Sequence, residues 1–169
     1  SNSSINVVYS GTMSAAIEAG IEGIPAIGFS LLDYSWNADF TPIKPFIEKI
    51  VRAALENKQR PDVVLNVNFP ALAEDRIKGI RICRQAKANW VEKFDKRQSP
   101  LGRDYYWLTG EFINEDKGQD TDEWALKEGY VSEEKYMADM SAMKAEIDAI
   151  KKMIDEEMGY MKKEKEALS

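Results

Sequence analysis

The chain has 169 residues, a net charge of −6 and 44% hydrophobic side chains, which suits one packed domain with an appendage. The acidic balance argues against a groove for a nucleic-acid polymer, and no apolar run is long enough to span a membrane, so the cytoplasm is the predicted location. The sequence contains no histidine, which excludes imidazole chemistry from these residues, and its single cysteine, Cys83, cannot form an intrachain disulfide.

The first predicted elements surround a Ser-Gly-Thr turn. A short apolar run over 7–9, interpreted as the end of a strand, leads into Ser10, Gly11 and Thr12, and a helix of small residues follows over 12–21. The N–H groups at a helix N-terminus are unpaired and carry partial positive charge, so hydroxyls and a glycine there can close on a phosphate. A helix cap beside a tight turn is the alternative for these three residues taken alone.

The middle of the chain predicts a strand, a helix and a second strand. Residues 26–32 form a short apolar run, residues 42–56 carry apolar side chains three and four apart, and residues 63–68 form a second apolar run. This order is typical of a βαβ unit in a parallel sheet. Asn66 and Asn68 alternate on the second strand, where we expect them to take part in sheet pairing rather than in catalysis.

Residues 77–84 alternate apolar and charged side chains and predict a further strand. Two aromatic-rich runs, 89–96 and 103–109, flank a Pro/Gly turn and predict a long hairpin that carries Trp90, Phe94, Tyr105, Tyr106 and Trp107. A lone hairpin cannot bury that much apolar surface, so it either folds back on its own domain or meets a second subunit, and we favour the second subunit.

The C-terminal part predicts a long amphipathic helix over 134–165. Its apolar positions keep heptad spacing, with a predicted buried side of Met140, Met143, Ile147, Ile150 and Ile154. Such a stripe needs a partner, which is either the body of the protein or a second copy of the helix. The alternative is that a strand continues through residues 131–140 and the helix begins later.

Five motifs in order over residues 2–132 resemble the SurE family, the survival-protein phosphatases that act as 5′/3′-nucleotidases. They are the run from Asn2 through the Tyr-Ser-Gly-Thr motif to Gly23-Ile24-Pro25-Ala26-Ile27, then Leu65-Asn66-Val67-Asn68-Phe69-Pro70, Lys78-Gly79-Ile80-Arg81-Ile82, Gly102-Arg103-Asp104-Tyr105-Tyr106-Trp107, and Thr121-Asp122 with Gly129-Tyr130-Val131-Ser132. The resemblance implies an α/β fold with a Rossmann-like three-layer parallel sheet, a β-hairpin extension and a C-terminal helix. We divide the chain accordingly into the C-terminal part of a nucleotidase core (1–70), a β-rich extension with the aromatic hairpin (71–132) and a long amphipathic helix (133–169).

The same resemblance implies a metal-dependent phosphohydrolase for nucleoside monophosphates or other small phosphate esters, working as a homo-oligomer. Asn2, Ser10, Gly11 and Thr12 match the family's phosphate-binding positions. The divalent ion, Mg²⁺ or Mn²⁺, is held in the family by paired aspartates, a serine and an asparagine. We expect these to lie upstream of residue 1, with no metal ligand in this segment and no activity from it alone. The competing hypothesis is a truncated, non-catalytic module that self-associates through the hairpin and the C-terminal helix.

Acidic residues in the loops offer another interpretation. Asp33, Asp39, Asp120 and Asp122 could be taken for a metal cluster or an acid–base pair. Loop acids are usually solvated, and the chain has 29 acidic residues in all. We therefore expect Asp33, Asp39 and Asp120 to be solvated and Asp122 to have a structural role.

Overall fold

A computed structural model describes residues 2–60, 62–136, 150 and 152–154. The strands are β1 (Ala26–Leu31), β2 (Val64–Phe69), β3 (Ile80–Cys83), β4 (Ala88–Gln98), β5 (Asp104–Asn114) and β6 (Val131–Tyr136). The helices are α1 (Gly11–Ile21), α2 (Lys44–Glu56) and α3 (Asp122–Lys127), and short 3₁₀ helices span Ser4–Tyr9, Thr41–Ile43 and Glu74–Arg76. Among the described helices, none has the length and apolar character needed to cross a bilayer.

Four strands form one sheet in the order β1-β2-β6-β3. β1 and β2 run parallel and are joined through α2, as the sequence predicts. β6 lies between β2 and β3, antiparallel to β2 and parallel to β3. The expected α/β class with a parallel βαβ unit is confirmed. The division at residues 70 and 132 stays a prediction, although β3 and β6 add to the same sheet as β1 and β2.

β2 is the centre of the core because both of its faces are buried. Leu65, Val67 and Phe69 pack with Ile43 and Ile50 on the side of α2. Val64 packs instead with a cluster of α1 side chains, Met13, Ala16 and Ile21. Since neighbouring residues of a strand point to opposite faces, α1 and α2 cover opposite faces and the sheet is the middle of three layers.

A glycine in β1 sets the distance between α1 and the sheet. A Cβ at Gly28 would collide with Sδ of Met13, a side chain that is fully buried. The missing side chain therefore lets α1 pack closely on β1. This contact fixes the helix whose first residues carry the Ser-Gly-Thr turn.

The segment before Ser10 differs from the prediction. Residues Ser4–Tyr9 form a 3₁₀ helix rather than the end of a strand. Ser4 has a φ of 51°, a left-handed conformation that turns the chain, and its N–H donates to the carboxylate of Asp122 at 2.5 Å. A contact 118 positions away thus decides the local structure.

The predicted helix start at residue 134 is wrong, because β6 spans Val131–Tyr136. The alternative of a strand that continues from residue 131 is confirmed as far as residue 136. The Glu and Lys content of residues 133–136 favours helix, but pairing with strands on both sides outweighs that weak preference. Ile150 and Ile154 lie in helical residues and are 50% and 49% exposed among the described residues of one chain, and burial of this side against a second copy stays a prediction. Met140, Met143 and Ile147 lie outside the described residues.

The predicted hairpin is confirmed and is longer than expected. β4 and β5 pair along eleven residue pairs, from Ala88 opposite Asn114 to Gln98 opposite Asp104. At its base, Arg84 binds Asp116 at 2.6 and 2.9 Å and Asp120 at 2.9 Å. The guanidinium holds the pKa of Asp116 well below its usual range, so this ion pair keeps its charges at neutral pH.

Candidate phosphate-binding site

The Ser-Gly-Thr turn lies at the N-terminus of α1. The Ser10 hydroxyl accepts a hydrogen bond from the Met13 N–H at 3.1 Å, and the Ser10 carbonyl accepts from the Ser14 N–H at 2.8 Å. Gly11 and Thr12 are exposed and come first in the helix, where no acceptor is available within the helix itself. Their N–H groups, the Thr12 hydroxyl and the helix dipole together favour an anion at this point.

Asn2 lies against this turn. The Ser10 hydroxyl donates to Oδ1 of Asn2 at 2.7 Å, so these two predicted site residues are in direct contact. The Asn2 side chain is only 7% exposed, and its Nδ2 has no hydrogen-bond partner among the described residues. A buried N–H donor without a partner is costly, and an acceptor bound beside Ser10 would remove that cost.

The backbone of Asn2 is held by the sheet. Its N–H donates to Oδ1 of Asn68 at 2.9 Å and to the Ser30 hydroxyl at 3.2 Å. Nδ2 of Asn66 donates to the Asn2 carbonyl at 2.9 Å. The side chains of both asparagines therefore bind Asn2. The sequence predicted only that these two residues take part in sheet pairing.

Two buried carboxyl groups support the chain behind this site. Asp122 accepts hydrogen bonds from the N–H groups of Ser4 and Ala86, so the structural role predicted for it is confirmed. Glu134 is 2% exposed. Burial, with a further contribution from the nearby Asp122 charge, raises the pKa of Glu134 to about 8, so it is mostly protonated at neutral pH. Burial also raises the pKa of Tyr136, which keeps its hydroxyl neutral.

The loop acids do not come together. Asp33 and Asp39 accept hydrogen bonds from the N–H groups of Ser35 and Thr41, and Asp120 binds Arg84. The described part of the chain holds no group of three or more acidic or cysteine side chains that could ligate a metal ion. Its residues do not fit a complete divalent-metal site, and the chemistry they offer is hydrogen bonding to an anion.

A separate cleft of about 460 Å³ lies between α2 and the sheet, lined in part by Ile50, Leu65 and Lys135. Leu65 faces α2, whereas Asn66 and Asn68 face away from it. This cleft is therefore on the opposite face of the sheet from Asn2 and is not part of the candidate site.

Comparison with known proteins gives consistent relatives. The family model described as Survival protein SurE matches residues 1–92. The 5′-nucleotidase SurE of Flavobacterium johnsoniae is 68% identical over 142 residues, which are 84% of this chain and 55% of that protein. The 5′-nucleotidase SurE of Bacteroides fragilis is 44% identical over 142 residues, covering 83% of this chain and 55% of that protein. The chain spans about half the length of the curated relatives it matches.

A solved structure has the same fold. The crystal structure of the SurE protein from Aquifex aeolicus is similar with a TM-score of 0.69 and 35% sequence identity. The similarity covers 86% of this chain and 59% of that chain.

Proposed function

Because the chain belongs to the SurE family, we propose that its described residues form the phosphate-binding part of a nucleotidase that hydrolyses nucleoside 5′- and 3′-monophosphates. The observation that carries this proposal is the contact between Asn2 and Ser10 at the start of α1, with a buried and unpartnered Nδ2 beside it. The proposed phosphate ligands are Asn2, Ser10, Gly11 and Thr12.

The proposed role of these donors follows from the charge of the reacting group. Negative charge on a phosphoryl group is spread over its peripheral oxygens in the transition state, and fixed N–H and O–H donors stabilise it without rearranging. A helix N-terminus adds partial positive charge without a lysine or arginine. The Mg²⁺ or Mn²⁺ that the family resemblance implies has no complete donor set among the described residues, so their part is to bind and orient phosphate.

A titration with inorganic phosphate tests this part of the proposal. In the ¹⁵N-labelled chain, we expect the N–H signals of Gly11 and Thr12 and the side-chain amide of Asn2 to shift and saturate together. Thr12→Val keeps the shape but removes one hydroxyl, and should weaken binding roughly tenfold if one charge-assisted hydrogen bond of ~1.5 kcal/mol is lost. Thr41→Val, at an exposed threonine before α2, is the matched control and should bind as the parent does. Saturation at other residues, with this turn unaffected, would contradict the proposal.

We further propose that the protein is a homo-oligomer joined through one face of the hairpin. That face carries an apolar cluster of Trp90, Phe94, Tyr106, Leu108 and Phe112, of which all except Phe112 are more than half exposed. The cluster lies beside the ion pair of Lys96 with Asp104, nearer the tip. The other face is mixed, since Arg97 lies over the Trp107 ring and pairs with Asp95. Exposed aromatic clusters of this kind are typical of protein interfaces. We also propose that the protein is located in the cytoplasm.

The alternative function, a non-catalytic module that self-associates through the hairpin, can be distinguished by experiment. We expect the 169-residue chain to bind phosphate and yet to show no turnover of adenosine 5′-monophosphate with Mn²⁺, because its described residues provide phosphate donors but no acidic ligand set. Self-association without any phosphate binding would favour an interaction module. Turnover with Mn²⁺ would show that residues of this chain hold the metal.

A further inference from the structure

Two asparagines occupy positions in β2 that would suit apolar residues. Asn66 and Asn68 are fully buried, in a strand whose other members include Val64, Val67 and Phe69, all of them also fully buried. Burying a carboxamide costs free energy unless its donors and acceptors are satisfied. Their presence in the centre of the sheet therefore needs a reason other than packing.

Both side chains hold Asn2, one at its backbone N–H and the other at its carbonyl. Oδ1 of Asn68 accepts from the Asn2 N–H at 2.9 Å, and Nδ2 of Asn66 donates to the Asn2 carbonyl at 2.9 Å. The Ser30 hydroxyl donates to Oδ1 of Asn68 at 2.6 Å. Because Oδ1 accepts two hydrogen bonds, the orientation of the Asn68 amide is determined.

The remaining atoms of the same two side chains are unsatisfied. Oδ1 of Asn66 and Nδ2 of Asn68 are buried and have no hydrogen-bond partner among the described residues. A pair selected only for stability is better replaced by apolar side chains, since removing both partners of a buried hydrogen bond can be nearly neutral. Nδ2 of Asn66 also donates to Oε2 of Glu134, at 3.4 Å, which is longer than its 2.9 Å bond to the Asn2 carbonyl. The short hydrogen bonds that connect the two asparagines to the candidate site are thus both made to Asn2.

We propose that Asn66 and Asn68 are positioning residues that hold Asn2 so that its Nδ2 meets a phosphate oxygen at the N-terminus of α1. This inference rests on the proposed function, because it assigns the same phosphate site a supporting pair from β2. Without the side-chain amides of Asn66 and Asn68, Asn2 loses its fixed position beside Ser10. Its Nδ2 must then be ordered at the moment when the anion binds. Preorganised donors stabilise an anion more strongly than donors that must first be ordered.

The test uses the ¹⁵N-labelled chain, inorganic phosphate and substitutions that keep the branched shape of the asparagine side chain. Asn68→Leu and Asn66→Leu remove the hydrogen bonds without opening a large cavity. We expect each to weaken phosphate binding at least fivefold and to abolish the phosphate-dependent shift of the Asn2 side-chain amide, while the Gly11 N–H still responds at higher phosphate concentration. Asn68→Asp keeps an oxygen that accepts from the Asn2 backbone N–H. In the absence of phosphate, we therefore expect the signal of this N–H to stay at the downfield position typical of a hydrogen-bonded amide.

Two further variants separate positioning from stability. Val67→Ala, on the same strand but on the opposite face, should lower the melting temperature and leave phosphate affinity within twofold of the parent. Ser30→Ala removes the hydroxyl that orients Asn68 and should weaken binding about threefold, which provides a milder variant if the Leu substitutions prevent folding.

The outcomes distinguish this inference from the proposed function. If the parent shows no phosphate response at Gly11 and Thr12, the proposed function is refuted. If the parent responds but the Leu variants, or Ser30→Ala where they do not fold, bind equally well and keep the Asn2 shift, only the positioning role is overturned. Equal weakening by Val67→Ala would likewise overturn it, because the effect would then follow stability.

Discussion

The buried carboxyl of Glu134 predicts a stability that falls as the pH rises. Glu134 lies in β6 between two other strands, and its Oε2 accepts a hydrogen bond from the Tyr136 hydroxyl at 2.9 Å. Burial, together with the neighbouring Asp122 charge, raises its pKa from 4.5 to about 8. The folded state therefore binds a proton that the unfolded chain releases within this range. The contribution is fully present below about pH 4.5 and is lost as the pH rises through about 8.

The size of the effect follows from the two pKa values. A pKa of about 8 in the folded chain against 4.5 in the unfolded chain corresponds to roughly 5 kcal/mol of unfolding free energy lost across the whole range. Glu134→Gln keeps the volume and the hydrogen-bonding capacity of the side chain and cannot ionise. We expect this variant to be a few kcal/mol more stable than the parent above pH 8, with a much flatter dependence on pH.

Urea unfolding followed by circular dichroism, repeated between about pH 5 and pH 9, measures this difference. Glu133→Gln removes the same charge from the adjacent position, on the opposite face of β6, and should keep the parent's dependence on pH. Parallel curves for the parent and Glu134→Gln would refute the argument.

Three further predictions concern the site, the packing of α1 and the hairpin. Gly11→Ala should leave the free energy of unfolding within about 0.5 kcal/mol of the parent, because the added Cβ meets no atom within 4 Å, and should weaken phosphate binding because it adds a methyl group beside an N–H that we propose as a phosphate ligand; unchanged affinity in the titration would contradict this. Gly28→Ala should cost about 1–3 kcal/mol in urea unfolding, because its Cβ collides with the buried Met13, and a cost near zero would show that α1 moves freely. If the parent is the proposed homo-oligomer in light scattering, Trp90→Ser combined with Phe94→Ser should lower its mass to that of a monomer, whereas Trp107→Ser on the other face should not; an unchanged mass for the double variant would exclude that face as the interface.

The sequence predicts the elements whose signals are local. The apolar spacing of α2 and the short apolar runs of β1 and β2 identify these elements because each pattern is contained within its own segment. At 133–136 the Glu and Lys residues favour helix, so the sequence ranks a helix from residue 134 above the alternative of a continuing strand. The pairing partners that decide for β6 lie far away in the chain. Such non-local pairing leaves no local pattern to read.

The candidate site shows the same limit. The Ser-Gly-Thr turn and the position of Asn2 could be predicted from the motif, and the structure brings Asn2 and Ser10 together. The support of Asn2 by Asn66 and Asn68 depends on contacts that span 64 and 66 positions in the chain. Its only sign in the sequence is a pair of asparagines on one face of an otherwise apolar strand.

The ion pairs of Arg84 with Asp116 and Asp120 lie at the base of the long β4–β5 hairpin. The strands β4 and β5 have eleven residues each, so the ribbon extends about 36 Å from its base. Because the hairpin is about 36 Å long, rotating it by about 10° at its base would move its tip by about 6 Å. Arg84 is one of the residues that hold this base, together with the hydrogen bond from the Ala86 N–H to the Asp122 carboxylate. We therefore expect a substitution of Arg84 to change the angle of the hairpin without altering the residues of its aromatic face or of the proposed phosphate site.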